Sequence, residues 1–105
     1  MSKDIIRSSS SERDVAAILG YFLDQHADTA GDRFLQELQK TFDSIAALPD
    51  LGHPWESSDP RSSGLRYWPV RRFEKYLVFY RTTVHGILIK RVLHGSQDIA
   101  SLVIG

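Results

Sequence analysis

The chain has 105 residues, no cysteine and equal numbers of acidic and basic side chains, so its formal net charge is zero. This length suits one core, and we expect residues 1–105 to form a single domain. The apolar fraction of 42% argues against disorder, and the lack of cysteine excludes disulfides and thiolate zinc sites. No apolar run approaches the roughly 20 residues of a membrane span, and no signal region follows the N-terminus, so we expect a cytoplasmic protein.

The zero net charge conceals opposite charges in the two halves of the chain. Residues 1–60 hold five Lys or Arg and eleven Asp or Glu, a net charge of −6, whereas residues 61–105 hold eight and two, a net charge of +6. Either the halves neutralise each other across their own interface, or they create opposite fields that orient an approaching partner. The second alternative predicts a protein that acts while docked on another macromolecule.

A short strand and a first helix are predicted at the start of the acidic half. Residues 4–8 contain two isoleucines and predict the strand, which ends at a run of serines. Ser11 and Asp14 have the spacing of a helix cap, and apolar residues recur behind them at helical intervals as far as His26. The apolar stripe of this helix is Val15, Ile18, Leu19, Phe22 and Leu23.

A second helix follows after two or three residues, so the two helices are expected to form an antiparallel hairpin. Thr29 and Asp32 have cap spacing, and Pro49 ends the pattern. Residues 49–63 are rich in Pro, Gly, Ser and Asp and predict a loop. The apolar stripe of the second helix is Phe34, Leu35, Leu38, Phe42, Ile45 and Leu48.

The basic half predicts three antiparallel strands and a short C-terminal turn or helix from Ser96. The strands cover residues 65–70, 75–81 and 86–94, and Pro69 indicates an edge or bulge position in the first of them. The fold class is therefore α+β. A short N-terminal strand and a helix hairpin pack on a sheet of three to four antiparallel strands.

Both faces of this predicted sheet are apolar. Strict alternation places Tyr76, Val78 and Tyr80 on the face opposite to Leu77 and Phe79, and it separates Ile87, Ile89 and Leu93 from Leu88 and Val92. Two short helices cover one face only. The second face must be covered by the tail, by a symmetric copy or by another chain.

Several segments resemble, in the same order, those of the ParE/RelE toxin superfamily of bacterial toxin–antitoxin modules. These segments are Leu48-Pro49-Asp50-Leu51-Gly52, Gly64-Leu65-Arg66, Tyr76-Leu77-Val78-Phe79-Tyr80-Arg81 and Gly86-Ile87-Leu88-Ile89-Lys90-Arg91-Val92-Leu93-His94-Gly95. The chain is nearer to ParE-like members, whose targets include DNA gyrase, than to RelE-like ribosome-dependent mRNA nucleases. No Tyr lies beyond Tyr80, so the RelE-type nuclease set is incomplete. Many relatives carry a basic pair and an Asp after the His-Gly step, and of these residues this chain has only Asp98.

The resemblance implies a toxin that binds and inhibits DNA gyrase and is neutralised by a cognate antitoxin laid on the helix pair and the sheet. Two alternatives remain: a RelE-like mRNA interferase, and a toxin-derived interaction module without toxicity. We expect no cofactor, no membrane contact and no direct binding of nucleic acid except through the antitoxin complex. The incomplete nuclease set favours a protein that is not an enzyme.

The candidate site residues are cationic and aromatic side chains of the predicted sheet. Cations and a histidine can stabilise a phosphorane-like transition state, although such arginines also pair with acids, and a histidine beside a turn is often structural. Aromatic residues between arginines are typical of nucleic-acid binders, but core packing also explains them. The weak catalytic candidates are Arg66, Arg81, Arg91 and His94. The candidates for binding the target or the antitoxin are Tyr67, Trp68, Arg71, Arg72, Tyr76, Tyr80, Lys90 and Arg91. The scattered histidines predict no metal site.

Overall fold

A computed structural model describes residues 2–104, which form five strands, two long helices and a short C-terminal helix. No helix within this range is both long enough and apolar enough to cross a membrane. The elements in chain order are β1 (Ile5–Arg7), α1 (Ser9–Asp24), α2 (Asp28–Ala47), β2 (His53–Pro54), a 3₁₀ turn (Pro60–Ser62), β3 (Arg66–Val70), β4 (Phe73–Thr83), β5 (Gly86–His94) and α3 (Ile99–Leu102).

The five strands form one mixed sheet in the order β1-β5-β4-β3-β2. The predicted α+β class, helix pair and meander are confirmed, and β5 has the predicted bounds. The prediction of three to four antiparallel strands is wrong on two points: β1 runs parallel to β5, and β2 adds a fifth strand. The sequence gives no local signal for either point. Strand β2 has only two residues and lies within a Pro-rich loop, and the direction in which β1 pairs depends on β5, which is distant in the sequence.

Helix α1 begins earlier than predicted because a different serine caps it. The Ser8 hydroxyl accepts a hydrogen bond from the Ser11 N–H at 3.0 Å, so Ser8 and not Ser11 is the N-cap residue. The next helix begins at Asp28 and has no side-chain cap at all. In a run of four serines every position offers the same hydroxyl, and the strand pairing of Arg7 decides where the helix starts.

The helix pair buries its apolar stripes against one face of the sheet. Phe34, Phe42 and Ile45 of α2 are almost fully buried there beside Val78 and Tyr80 of β4. Three members of the predicted stripes do not take part: Leu23, Leu35 and Leu48 are 59%, 41% and 57% exposed.

The second face of the sheet is also buried, as predicted, and the chain covers it with its own residues. Val103 of the tail and the loop residue Trp55 pack on Phe79, Leu65 and Leu93. Of the three possible covers, the tail is therefore the one found. The two-faced sheet by itself gives no evidence for a partner chain.

A β-bulge in β5 changes which side chains share a face. Arg91 pairs with Phe79 but Ile89 pairs with Tyr80, so Lys90 is the extra residue. Val92 therefore joins Ile89 on the helix face, whereas Leu93 lies on the tail face. The strict alternation predicted for this strand is wrong beyond Lys90. Pro69 was predicted at an edge or bulge position; β3 lies between β4 and β2, and the register shifts between Pro69 and Val70, which agrees with the bulge alternative.

Candidate functional site

Arg91 is held in an ion pair that joins three elements of the fold. Its Nε and Nη2 atoms donate to the two carboxylate oxygens of Asp14 in α1 at 2.7 and 2.8 Å, and its Nη1 donates to the Leu102 carbonyl at 2.9 Å. The side chains are only 18% and 12% exposed, and the Asp14 hydrogen bonds raise the pKa of Arg91. All three guanidinium nitrogens are thus engaged, so the structure gives Arg91 an architectural role and not that of a free catalytic or docking cation.

The same carboxylate covers part of the free edge of β5. Strand β1 pairs with β5 only as far as Ile89. Beyond that point the Val92 N–H donates to Asp14 and the His94 N–H donates to Gln97 Oε1. Side chains therefore take the place of a neighbouring strand, which protects the edge from pairing with another chain.

Arg66 and Tyr80 hold the segment that follows α2. Tyr80 is fully buried; its hydroxyl donates to the Pro49 carbonyl and accepts from the Gly52 N–H. Arg66 donates to the Gly52 carbonyl at 2.7 Å and lies 3.7 Å from Asp50. A side chain at Gly52 would collide with the Tyr80 hydroxyl, which explains the glycine. Tyr80 is thus not available for docking, and the Arg66 guanidinium is committed to the loop.

The other three aromatic candidates line the cores instead of forming one surface. Trp68 and Tyr76 pack at the border of the helix-face core, while Tyr67 packs on the tail face against Trp55 and Phe79. Because they lie on opposite sides of the sheet, no single flat partner contacts all three. Each is partly exposed, so each contributes to the rim of a different surface.

Arg71 and Arg72 surround a buried carboxylate in α2. Glu37 is 5% exposed, and its carboxylate oxygens lie 3.6 Å from Arg71 Nε and 3.7 Å from Arg72 Nε. Lys40 is the third cation within 4 Å of Glu37. The arginine side chains are exposed by 59% and 65%, so three cations share one acid and leave a net positive surface. We call Lys40, Arg71 and Arg72 the turn patch.

Arg81 and Lys90 come together with Arg61 at a pocket on the tail face. Arg91, which is paired with Asp14, is not among the residues that line this pocket. Burial first and then the charge of Arg81 lower the pKa of Lys90. These cations are not near the turn patch, so the basic half presents two separate positive surfaces.

His94 has the structural role that a histidine beside a turn often has. Its ring packs edge-on against Tyr76 at 5.0 Å, and its Nδ1 atom lies 2.7 Å from the Ser96 hydroxyl. The Ser96 N–H also donates to this nitrogen, so the ring holds the turn after β5. Across residues 2–104, no group of His, Asp and Glu side chains is arranged to hold a metal ion.

A groove of about 350 Å³ lies between the two long helices at the β1 side of the sheet. Its floor is apolar, with Val15 of α1 and Leu38 and Phe42 of α2, and the half-exposed Leu35 lies at its wall. Arg7 and Glu12 stand at the rim, and the Arg7 guanidinium lies over the Phe42 ring at 5.2 Å. This groove has the apolar centre and charged rim of a peptide-binding site.

Sequence reasoning missed the three features that organise these surfaces: Asp14 as the partner of Arg91, Glu37 as the hub of the turn patch, and the groove. In the sequence Asp14 has the spacing of a helix-cap residue, and nothing in the position of Glu37 marks it as a partner of the arginines. The available signal for the groove was the width of the apolar stripe of α2: Leu35 follows Phe34 directly, so the stripe is wider than the sheet alone can cover, and the structure leaves Leu35 41% exposed.

Comparisons with known proteins agree with this fold. A family model described as "ParE toxin of type II toxin-antitoxin system, parDE" matches residues 5–99. A solved structure described as "Chromosomal ParDE TA system from P. aeruginosa" has 15% sequence identity and a TM-score of 0.71, covering 89% of this chain and 96% of that one. No curated protein sequence matches the chain.

The two findings carry different weight. At 15% identity, the likeness to the P. aeruginosa structure supports the fold alone. The family model, in contrast, spans all five strands and both long helices. The chain therefore belongs to the ParE toxin family of type II toxin–antitoxin systems.

Proposed function

We propose that this protein is a toxin that inhibits DNA gyrase by binding to it in the cytoplasm, and that a cognate antitoxin neutralises it. The observation that carries the proposal is the family match over residues 5–99. Membership of a toxin family makes an antitoxin partner the expected regulator, and ParE-like proteins have gyrase as their characteristic target. The surfaces described above suit these two partners in different ways.

The groove between α1 and α2 is our proposed antitoxin site. Its apolar floor suits the apolar face of an amphipathic helix or an extended segment, and its rim carries charges of both signs at Arg7 and Glu12. Strand addition at the far end of β5 is disfavoured, because Asp14 and Gln97 already accept the N–H groups there. A segment in the groove would also cover the exposed Leu35.

The turn patch is our proposed gyrase contact. Lys40, Arg71 and Arg72 are exposed cations from two elements, and buried Glu37 anchors them in one place. Such a patch attracts an acidic protein surface and accelerates its association.

A RelE-like nuclease activity has weaker support. Arg91 is engaged by Asp14 and Leu102, Arg66 is engaged by Gly52, and His94 is engaged by Ser96. All four catalytic candidates therefore have partners within the chain, because Arg81 donates to the Arg61 carbonyl. We propose a protein that acts by binding and not as an enzyme.

Purified gyrase provides the direct test. We expect the chain to inhibit DNA supercoiling and, when induced alone in a bacterial host, to cause filamentation and a DNA damage response with intact mRNA. Rapid loss of translation with cleaved mRNA would instead establish the nuclease alternative. Normal growth together with uninhibited supercoiling would identify a non-toxic interaction module.

Charge-removing variants test the gyrase contact. The double variant Arg71→Gln/Arg72→Gln should weaken gyrase inhibition about tenfold or more, because two charged contacts are lost. Lys75→Gln is the matched control, since Lys75 is an exposed cation outside the turn patch. Equal inhibition by the double variant and the control would show that gyrase binds elsewhere.

A pair of leucines tests the antitoxin site. Leu35→Glu should weaken capture of the antitoxin, the product of a small neighbouring reading frame, without unfolding the chain. Leu23→Glu places the same charge on an exposed leucine outside the groove and should leave capture unchanged. Loss of binding in both variants, or in neither, would contradict the groove.

A further inference from the structure

The pocket beside Arg81 and Lys90 gathers more positive charge than the fold needs there. It has a volume of about 660 Å³ and lies where the tail face of β4 and β5 meets the start of α1. Arg61, Arg81 and Lys90 line it, and no Asp or Glu is among its lining residues. Like charges at close range repel, so this grouping costs stability unless an anion joins it.

The bonding of these three cations leaves them available to such an anion. Arg81 donates through Nη2 to the Arg61 carbonyl at 3.0 Å, and its Nε has no hydrogen-bond partner but is buried, so an anion in the pocket has to approach the Nη atoms. Within residues 2–104, neither Arg81 nor Lys90 has a carboxylate within 4 Å. Arg61 pairs with Asp59, but this pair is at the surface, where exchange with another anion costs little.

The start of α1 adds hydrogen-bond donors to the same pocket. Ser8 and Ser10 line it, and Ser8 caps this 16-residue helix. The first N–H groups of a helix have no acceptor within the helix, and its N-terminus carries partial positive charge. Guanidinium, ammonium and helix N–H groups together are the donors that bind phosphate in proteins.

We propose that Arg61, Arg81, Lys90 and the N-terminus of α1 form a binding site for a phosphate group, carried by a nucleic-acid backbone or by a free nucleotide. A phosphate presents several acceptor oxygens in a tetrahedron, which suits donors that converge from two strands, a loop and a helix. A carboxylate presents only two oxygens, which lie in one plane, and therefore accepts from fewer of these donors. The site adjoins the groove at the start of α1 but shares no lining residue with the groove or the turn patch, so its residues can be changed without changing the proposed antitoxin or gyrase contacts.

Amide NMR titration of the isolated chain tests the site. Inorganic phosphate should shift the signals of Ser10, Arg81 and Lys90 in a saturable and salt-sensitive manner. A 12-nucleotide single-stranded DNA with and without a 5′-phosphate separates the two sources. Equal binding of both oligonucleotides indicates the backbone, whereas preference for the phosphorylated one, matched by a nucleoside monophosphate, indicates a terminal phosphate.

Lys90→Gln should weaken this binding about tenfold, the value of one charge-assisted hydrogen bond, and Lys90→Arg should restore it. Lys75→Gln removes the same charge from an exposed position outside the pocket and should change affinity little. If Lys90→Gln unfolds, Arg61→Gln takes its place, because the Arg61 side chain is 65% exposed.

Three results would overturn the proposal. In the first, phosphate shifts the amide NMR signals of residues outside the pocket and not those of its lining residues. Another is an equal loss of affinity in Lys90→Gln and Lys75→Gln, which would indicate a diffuse charge effect. The third is an oligoglutamate peptide that competes as well as the oligonucleotide, which would make the pocket a contact for an acidic protein. Gyrase inhibition is measured separately, so each proposal can fail without the other.

Discussion

The two faces of the sheet are both buried, but very different lengths of chain cover them. On the helix face, α1 and α2 contribute 16 and 20 residues, and aromatic side chains such as Phe34 fill the space beneath them. On the tail face, Trp55 and residues 99–104 cover a smaller cluster around Phe79. A long helix is held at many points along its length, whereas a short tail is held at few. Similar burial on the two faces therefore does not mean that the two covering layers are equally rigid.

One ion pair connects the two faces. Asp14 belongs to α1 on the helix face, and Arg91 carries the link to the Leu102 carbonyl of the tail. The tail is thus fastened to the helix layer through a single arginine.

The largest effect is expected from cutting the link between the faces. Asp14→Ala leaves Arg91 mostly buried without its anion and the Val92 N–H without its acceptor, so we expect the free energy of unfolding to fall by about 3 kcal/mol. Urea denaturation followed by circular dichroism measures this loss. An exposed carboxylate offers a control: Asp32 of α2 has no ion-pair partner within residues 2–104, so Asp32→Ala should change the unfolding midpoint little. An Asp14→Ala midpoint equal to that of the wild type would show that the ion pair does not fasten the tail.

Matched valine truncations compare the two cores directly. Val78 on the helix face and Val103 on the tail face are both fully buried. Val78→Ala should cost about 2–3 kcal/mol, because the helices cannot close over the cavity, whereas Val103→Ala should cost about 1 kcal/mol, because the tail can settle inwards. The same urea experiment gives both values. Equal costs would mean that the tail is packed as rigidly as the helix pair.

An effect smaller than that of Asp14→Ala, with a pH signature, is expected at Tyr80. Tyr80→Phe removes the bonds to Pro49 and Gly52 and should cost about 1–2 kcal/mol below pH 10. Burial raises the pKa of Tyr80 above its ordinary value of 10.0, so the folded state keeps this proton when the unfolded chain releases it. The contribution of the hydroxyl is therefore complete below pH 10 and decreases as the pH rises through the folded-state pKa.

The pH dependence is measured as the stability difference between wild type and Tyr80→Phe at pH 8 and above pH 10. This difference should shrink at the higher pH, because only the wild type carries the Tyr80 proton. Tyr21→Phe serves as the control, since Tyr21 is 55% exposed and contributes little to the core. A difference that stays constant with pH would contradict the raised pKa.

Much of the fold followed from local patterns in the sequence. The helix stripes, the strand bounds at 86–94 and the bulge at Pro69 were predicted because period and proline geometry act within a few residues. The face assignment failed at Val92 and Leu93 because a single extra residue, Lys90, reverses the alternation without any mark in composition. The predicted start of α1 was wrong for a similar reason, because any of four consecutive serines can cap the helix until the neighbouring strand is placed.

The candidate site was much less predictable than the fold. Arg91 and Lys90 are adjacent cations, yet one pairs with Asp14 and the other lines an open pocket. Arg66, Arg71 and Arg81 also look alike in the sequence, but their partners differ. Arg66 donates to the Gly52 carbonyl, Arg71 lies beside the buried Glu37, and Arg81 donates to the Arg61 carbonyl. A cation's role depends on which acceptors surround it, and those acceptors come from distant parts of the chain.

The sequence by itself determined the α+β class, the charge division and the two apolar faces, because each depends on composition or on spacing over short distances. It also carried the segments that resemble those of ParE toxins. Only the tertiary structure decided that the tail covers the second face, that Arg91 is structural, and that Arg81 stands beside Lys90. Asp14 and Arg91 are separated by 77 positions, and no local pattern joins residues so far apart. The basic half therefore presents cations at its surface, in the turn patch and beside the pocket of Arg81 and Lys90, and not an uncovered sheet.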